Sequence, residues 1–205
     1  MAQTDLRVIK TLKQIDSSLL DCLAGTPFEK ITVEQLCRTA IINRSTFYKY
    51  YTSKYDLIQR YLQRALDGFR HQVNVAFVHA TPDHIQDVIY QKNFENVLRF
   101  LYKHQEEYLL LWSIPQEKSV FSQMIDIVHD SILEALHSSG GDFLAAPYAD
   151  LYARLFASDM MTLVRWWMQH KDTISASDVQ SLMRDNMKQG MFRTFRERMN
   201  QPGNP

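Results

Sequence analysis

Apolar residues recur at three- and four-residue steps along almost the whole chain, a period that predicts an all-α fold. Leu6, Ile9, Leu12, Ile15, Leu19 and Leu23 mark a first helix ending near Gly25. Val33, Leu36, Cys37 and Ala40 then fall at i, i+3, i+4 and i+7, one narrow stripe on a short helix. Thr32 stands ahead of that stripe as a side-chain cap with Gln35 three residues on, and Ile31 and Leu36 can close a hydrophobic staple around it. Residues 40–43 make a turn in which Asn43 is suited to cap the next helix. In that helix a step of ~100° per residue gives Phe47 and Tyr51 a common direction and makes them core anchors. Ser45, Thr46 and Lys49 point away from the anchors, and Arg44 and Tyr48 lie on the flank. Ser53 with Asp56 opens a further helix in the manner of a capping box. It continues through Leu57, Tyr61, Leu62, Leu66 and Phe69 toward residue 79, where Thr81, Pro82 and Asp83 break it.

Four more helices complete the pattern, with no strand alternation and no internal repeat. They cover residues 83–105; residues 117–138, between the break at Ile114 and Pro115 and the stop at Gly140 and Gly141; residues 147–170, from Pro147; and a last helix from Ser175 or Ser177 to residue 199. Residues 201–205 are expected to fray. The final two helices carry more large apolar residues than one buried stripe requires. Leu151, Leu155, Met160, Leu163 and Trp167 on one, with Val179, Leu182, Met183, Met187, Met191 and Phe195 on the other, predict apolar surface on more than one side. Gly190 inside the last helix, at a cost of about 1 kcal/mol relative to Ala, would let a partner helix approach closely.

The outward groups of residues 44–49 are a guanidinium, an ammonium, two hydroxyls and a phenol. Such groups bond phosphate oxygens and base edges, and Arg matches the paired acceptors of guanine. Lys54, a cation in the first turn of its helix, opposes the helix dipole, an arrangement that makes sense if a phosphate docks there. The plainer reading, a helical hairpin whose Arg44 and Lys49 merely solvate its outer face, has to treat the agreement of caps, anchors and polar face as coincidence.

Residues 28–57 resemble the N-terminal domain of the TetR/AcrR family of transcriptional regulators. The elements that carry the resemblance are Thr32, the run Thr46, Phe47, Tyr48, then Tyr51, Ser53 and Lys54. One departure is Ile41, which follows Ala40 where the family usually has Gly; a β-branched residue is poorly suited to positive φ. Residues 42–48 also resemble a subgroup that includes regulators associated with dihydroxyacetone kinase. The resemblance implies a three-helix helix-turn-helix DNA-binding head in residues 1–55, linked to a larger helical-bundle ligand-binding and dimerisation domain in residues 56–205. It implies a homodimer formed through the last two helices on a palindromic double-stranded DNA operator, most simply a repressor released by a small apolar or amphipathic effector. Arg44, Ser45, Thr46 and Lys49 would reach bases or nearby phosphates, with Thr32, Asn43, Tyr48 and Lys54 completing the contact set. An activator of the same fold, or a DNA-bound structural or cell-division factor, is the alternative.

Charge agrees with that picture. Residues 1–60 carry nine Lys plus Arg against six Asp plus Glu, and the rest of the 205 residues carry 14 against 17, so a neutral chain has a mildly basic head. No stretch has the length and apolarity of a membrane span and residues 1–30 do not read as a signal peptide, so a soluble cytoplasmic chain is expected. Cys22 and Cys37 read as reduced, buried filler, with a redox switch as the alternative.

For the effector, Phe94, Leu98, Tyr102, Tyr108, Trp112, Phe121, Met124, Tyr152, Phe156 and Trp166 are candidate pocket residues, each of which also reads as ordinary core. His104, Asp126, His129 and Asp130 read as surface residues, since no paired-His spacing supports a metal, with polar anchors of such a pocket or a metal site as the alternative. No cofactor motif, phosphate loop or nucleophile elbow is present in the sequence, which leaves no group to name as nucleophile or base, so an enzyme is not expected and a helical enzyme stays only as a rival reading.

Overall fold

Helix follows helix in the computed structural model, which describes residues 6–75, 78, 88–138 and 148–190; among them every regular element is helical. In chain order the α-helices are α1 (Leu6–Gly25), α2 (Val33–Ala40), α3 (Arg44–Tyr48), α4 (Lys54–Arg70), α5 (Val88–Lys103), α6 (Gln105–Ser113), α7 (Val120–Ser138), α8 (Tyr148–His170) and α9 (Ala176–Gln189), with a 3-10 turn at Phe28–Lys30. The chain divides into two compact units. One is Met1–Leu66 with Glu106–Val120, and the other is Asp67–Gln105 with Phe121–Pro205.

In the first unit α1 packs on α2 and α2 on α3. Its core is made by Ile15, Leu19, Ile31, Leu36, Phe47, Leu57, Tyr108 and Leu111, all essentially inaccessible. The α1 stripe therefore works from Ile15 onward, whereas Leu6 and Ile9 are exposed. Besides α1–α3, α4 to Leu66 and most of α6 belong to this unit. Helix α6 was not foreseen. Tyr108, Leu109, Leu110, Leu111 and Trp112 form a contiguous apolar run without a one-sided stripe, and periodicity cannot assign such a run. Tyr108 fastens it, its phenol donating to the Ala65 carbonyl at 2.7 Å, while Tyr61 donates to Glu107 Oε1 at 2.6 Å. Burial, with the Glu107 carboxylate beside them, pushes both phenols far above their ordinary range, so both remain donors. Arg64 completes the set by bonding Asp16 Oδ1 at 2.7 Å, linking α4 to α1.

In the second unit α9 packs on α5 and α8. Leu98, Leu101, Met124, Val128, Ala157, Met161, Val164 and Val179 fill its interior. Tyr102 of α5 stacks on Trp167 of α8 at 5.6 Å, and Arg154 of α8 bonds Asp126 of α7 at 2.5 Å. His129, expected at the surface, is instead buried, with Nδ1 2.8 Å from Asp130 and Nε2 2.9 Å from Asp150. Two carboxylates near the ring make a polar group tolerable there.

Several helix limits differ from expectation. Helix α4 ends at Arg70, not near 79: the amides of Gln72 and Val73 turn back to Phe69 and Arg70, and Val73, Asn74 and Val75 are poor helix formers. Ser175 starts α9 with a capping box closed by Asp178. Gly190 stands at the C-cap of that helix, where a Cβ would lie 2.6 Å from the helix's own Asn186 carbonyl oxygen. The breaks at residues 81–83 and 140–141, Pro147, and the extension of the last helix through Met191 and Phe195 to 199 lie outside the described residues. No described helix is long and apolar enough to cross a membrane.

Substituting Tyr108→Phe keeps the buried ring and deletes one hydrogen bond. Stability should fall by about 1 kcal/mol, read as a lower urea midpoint at unchanged slope. An unchanged midpoint would mean that the phenol does not fasten α6 to α4.

Candidate nucleic-acid interface

Helix α3 has five residues, too few to persist by its own hydrogen bonds. Phe47 holds it, fully buried, with Tyr51 beside it at 3% exposure and 5.7 Å between ring centroids. Burying a side chain of this size contributes roughly 1.5–3 kcal/mol. The same anchoring turns Asn43, Arg44, Ser45, Tyr48 and Lys49 outward, all exposed, with Thr46 half-buried. Tyr48 lies one turn from Arg44 on the same exposed face, and its phenol raises the Arg44 guanidinium above its ordinary value.

Upstream, Thr32 caps α2 by accepting the Gln35 amide at 3.1 Å. Accepting that bond leaves its exposed hydroxyl hydrogen to donate outward. Asn43 holds the N-cap position of α3, but its side chain makes no capping bond. The amide that such a bond would reach, that of Thr46, is already taken at 2.9 Å by the Asn43 backbone carbonyl. The Asn43 amide group thus remains on the exposed surface beside Arg44.

Between α2 and α3, Ile41 adopts the left-handed conformation at φ 55° and ψ 47°, the geometry a Gly would supply, and it is 88% exposed. Its amide bonds the Arg38 carbonyl at 3.2 Å and the Ile42 amide bonds the Cys37 carbonyl at 3.0 Å, ending α2 sharply. A β-branched residue is poorly suited to that region, and the turn holds it there nonetheless.

Lys54 differs most from the sequence-based expectation. Its ammonium points back into the first unit and donates to three carbonyls: Phe28 at 3.0 Å, Glu29 at 2.8 Å and Ile31 at 2.8 Å. It also lies over the rings of Phe28 and Tyr55, 5.0 and 5.2 Å from their centroids. Sequence reasoning assigned Lys54 outward because a cation in the first turn opposes the dipole. The three carbonyl acceptors come from residues 28–31, more than 20 positions away, and nothing local in sequence announces them. Arg38, exposed in the last turn of α2, is a further cation on this unit that the sequence reading did not nominate.

The ten candidate pocket residues do not behave as one group. Tyr108 and Trp112 are core of the first unit, on α6. In the second unit Leu98, Met124 and Phe156 are buried, Phe94, Phe121 and Tyr152 are half-buried, and Tyr102 and Trp166 are exposed. Cys22 and Cys37 are both buried and unbridged, and burial raises the Cys37 thiol above its ordinary value. Among the described residues no cluster of three His, Cys, Asp or Glu could hold a metal ion.

No family model matches the chain. A segment of 64 residues, 31% of the chain, is 36% identical to an uncharacterized HTH-type transcriptional regulator, YxbF, of Bacillus subtilis (strain 168); it spans 17% of that relative's length. Two solved structures share the fold. The dihydroxyacetone kinase operon activator DhaS aligns at a TM-score of 0.54 and 16% identity, covering 92% of this chain and 96% of its own. The fatty acid degradation regulator FadR from Bacillus halodurans aligns at 0.59 and 12% identity, covering 88% and 95%. The chain accordingly has the architecture of helical regulators, an N-terminal helix-turn-helix followed by a helical C-terminal domain.

The turn can be tested without a ligand. Left-handed strain at a non-Gly residue is ~1–2 kcal/mol, and Gly returns ~0.5–1 through the freer unfolded chain. Ile41→Gly should therefore stabilise by about 0.5–1 kcal/mol, raising the denaturant midpoint. A lowered midpoint would show that Ile41 is not strained.

Proposed function

We propose that this chain is a DNA-binding transcriptional regulator. It acts as a homodimer whose two α3 helices enter successive major grooves of a palindromic operator, and it represses until a small apolar or amphipathic effector releases it. The observation that carries the reading is the five-residue α3, anchored by Phe47 so that Arg44, Ser45, Tyr48 and Lys49 all face solvent from a rigid base. Similarity to an HTH-type regulator and the shared fold of two regulators support the class. Exposed Leu151, Leu155 and Trp166 on α8 with Leu182 on α9 support pairing through the last two helices, since a two-fold operator requires a two-fold protein. Effector binding would then favour a head spacing that no longer fits the grooves. Activation rather than repression is the second reading, favoured by the description of DhaS as an operon activator.

Duplexes selected from a random pool by the wild-type protein supply the probe. Arg44→Ala should weaken binding to the selected duplex by roughly tenfold or more, the scale of a lost bidentate base contact. Tyr48→Phe should weaken it less, as the loss of one phenol contact. Equal affinity of both variants and wild type would remove α3 from the interface.

Leu155→Glu places a charge in the proposed subunit contact. Sedimentation should show a dimer for wild type and a monomer for this variant, whereas an unchanged dimer would place the contact elsewhere.

A further inference from the structure

We infer that Lys54, in the first turn of α4, is a clasp that aims the recognition helix, and not a contact to a DNA phosphate. The inference rests on the DNA-binding reading above and assigns Lys54 a role within it. A phosphate contact at this place requires a free Lys54 ammonium, and that ammonium is engaged inside the protein. Lysine has three N–H donors, and three backbone carbonyls take bonds of 2.8–3.0 Å from it. At the helix start, the Asp56 amide donates to Ser53 Oγ at 3.1 Å, and the Asp56 carboxylate accepts the Thr52 amide at 2.9 Å. The Thr52 amide, with Arg60 bonded at 2.7 Å, holds the Asp56 carboxyl below the usual carboxylate range, so a negative charge already stands at the positive end of the helix. A phosphate arriving there would meet that carboxylate.

The bonds instead close a ring. From Ile31 the chain passes through the Thr32 cap, α2, the Ile41 turn and α3, and reaches Lys54 through Thr52 and Ser53. Lys54 returns to the carbonyls of Phe28, Glu29 and Ile31, positions 26, 25 and 23 residues earlier. Both ends of the reading segment are thereby pinned to the first turn of α4. Phe47 sets how deep α3 sits, and Lys54 sets its angle to α4. Lys54 is thus a positioning residue that acts through the face carrying Arg44.

The test compares Lys54→Met and Lys54→Arg with wild type, on the selected duplex and on a scrambled duplex of equal length, across a salt series. A phosphate contact contributes close to one unit of slope in log affinity against log salt, whereas a positioning residue contributes none. Arginine keeps the charge but presents a planar fork, which does not fit three carbonyls gathered around one nitrogen. For both variants we expect at least tenfold weaker binding to the selected duplex, an unchanged salt slope and unchanged affinity for the scrambled duplex. A slope reduced by about one in Lys54→Met, with wild-type binding by Lys54→Arg, would make Lys54 a phosphate contact and overturn the inference. Unchanged specific affinity in folded variants, or loss of the fold in both, would assign the bonds to stability alone and overturn it equally. If wild type selects no duplex, the DNA-binding reading fails and takes this inference with it.

Discussion

A helix of five residues, too short to persist by its own hydrogen bonds, is held here by one buried side chain and the core around it. Phe47, with no accessible surface, is that side chain, and α3 has no other fully buried residue. Everything proposed for the reading face follows from this constraint. With Phe47 fixed inward, helical geometry turns Ser45 away from the core and sets Arg44 and Tyr48 on the flanks, where both are exposed. Removing a buried aromatic of this kind costs about 3–5 kcal/mol, enough to dissolve so short an element.

The supports around α3 share out the remaining strain. Thr32 fixes where α2 begins, and Ile41 forces it to end in a left-handed residue. A β-branched side chain in that conformation is an expense that the two flanking hydrogen bonds and the buried Ala40 and Phe47 together offset. Beyond α3, Tyr51 packs on Phe47, and the α4 residues Tyr61, Arg64 and Ala65 meet α1 and α6 through hydrogen bonds. The first unit is therefore held by side-chain bonds between helices as well as by its apolar core, which suits a small body with limited interior volume.

The parts of this arrangement written locally were readable from residue order. The Thr32 cap, the Phe47 and Tyr51 anchors and the Ser53 start all depend on spacings of three or four residues, and each stands where those spacings put it. What depended on distant partners was not readable. The destination of Lys54, the burial of His129 against Asp150 and the identity of α6 as a helix of the first unit all require knowing which segments meet. Ile41 lies between these cases: its neighbours called for a left-handed residue, its own side chain argued against one, and the turn prevailed. For the ten aromatic and Met positions considered as a pocket, helical spacing could not separate core from cavity, and the structure distributes them over two units.

The central claim is that the outer face of α3 is the surface that meets DNA. Backbone amide NMR spectra recorded while a selected duplex is titrated into the intact protein address it most directly. The account requires the largest shifts at residues 43–49, with smaller ones at Thr32 and its neighbours in α2. Shifts confined to residues 88–138 and 148–190, with residues 43–49 unmoved at saturation, would contradict it.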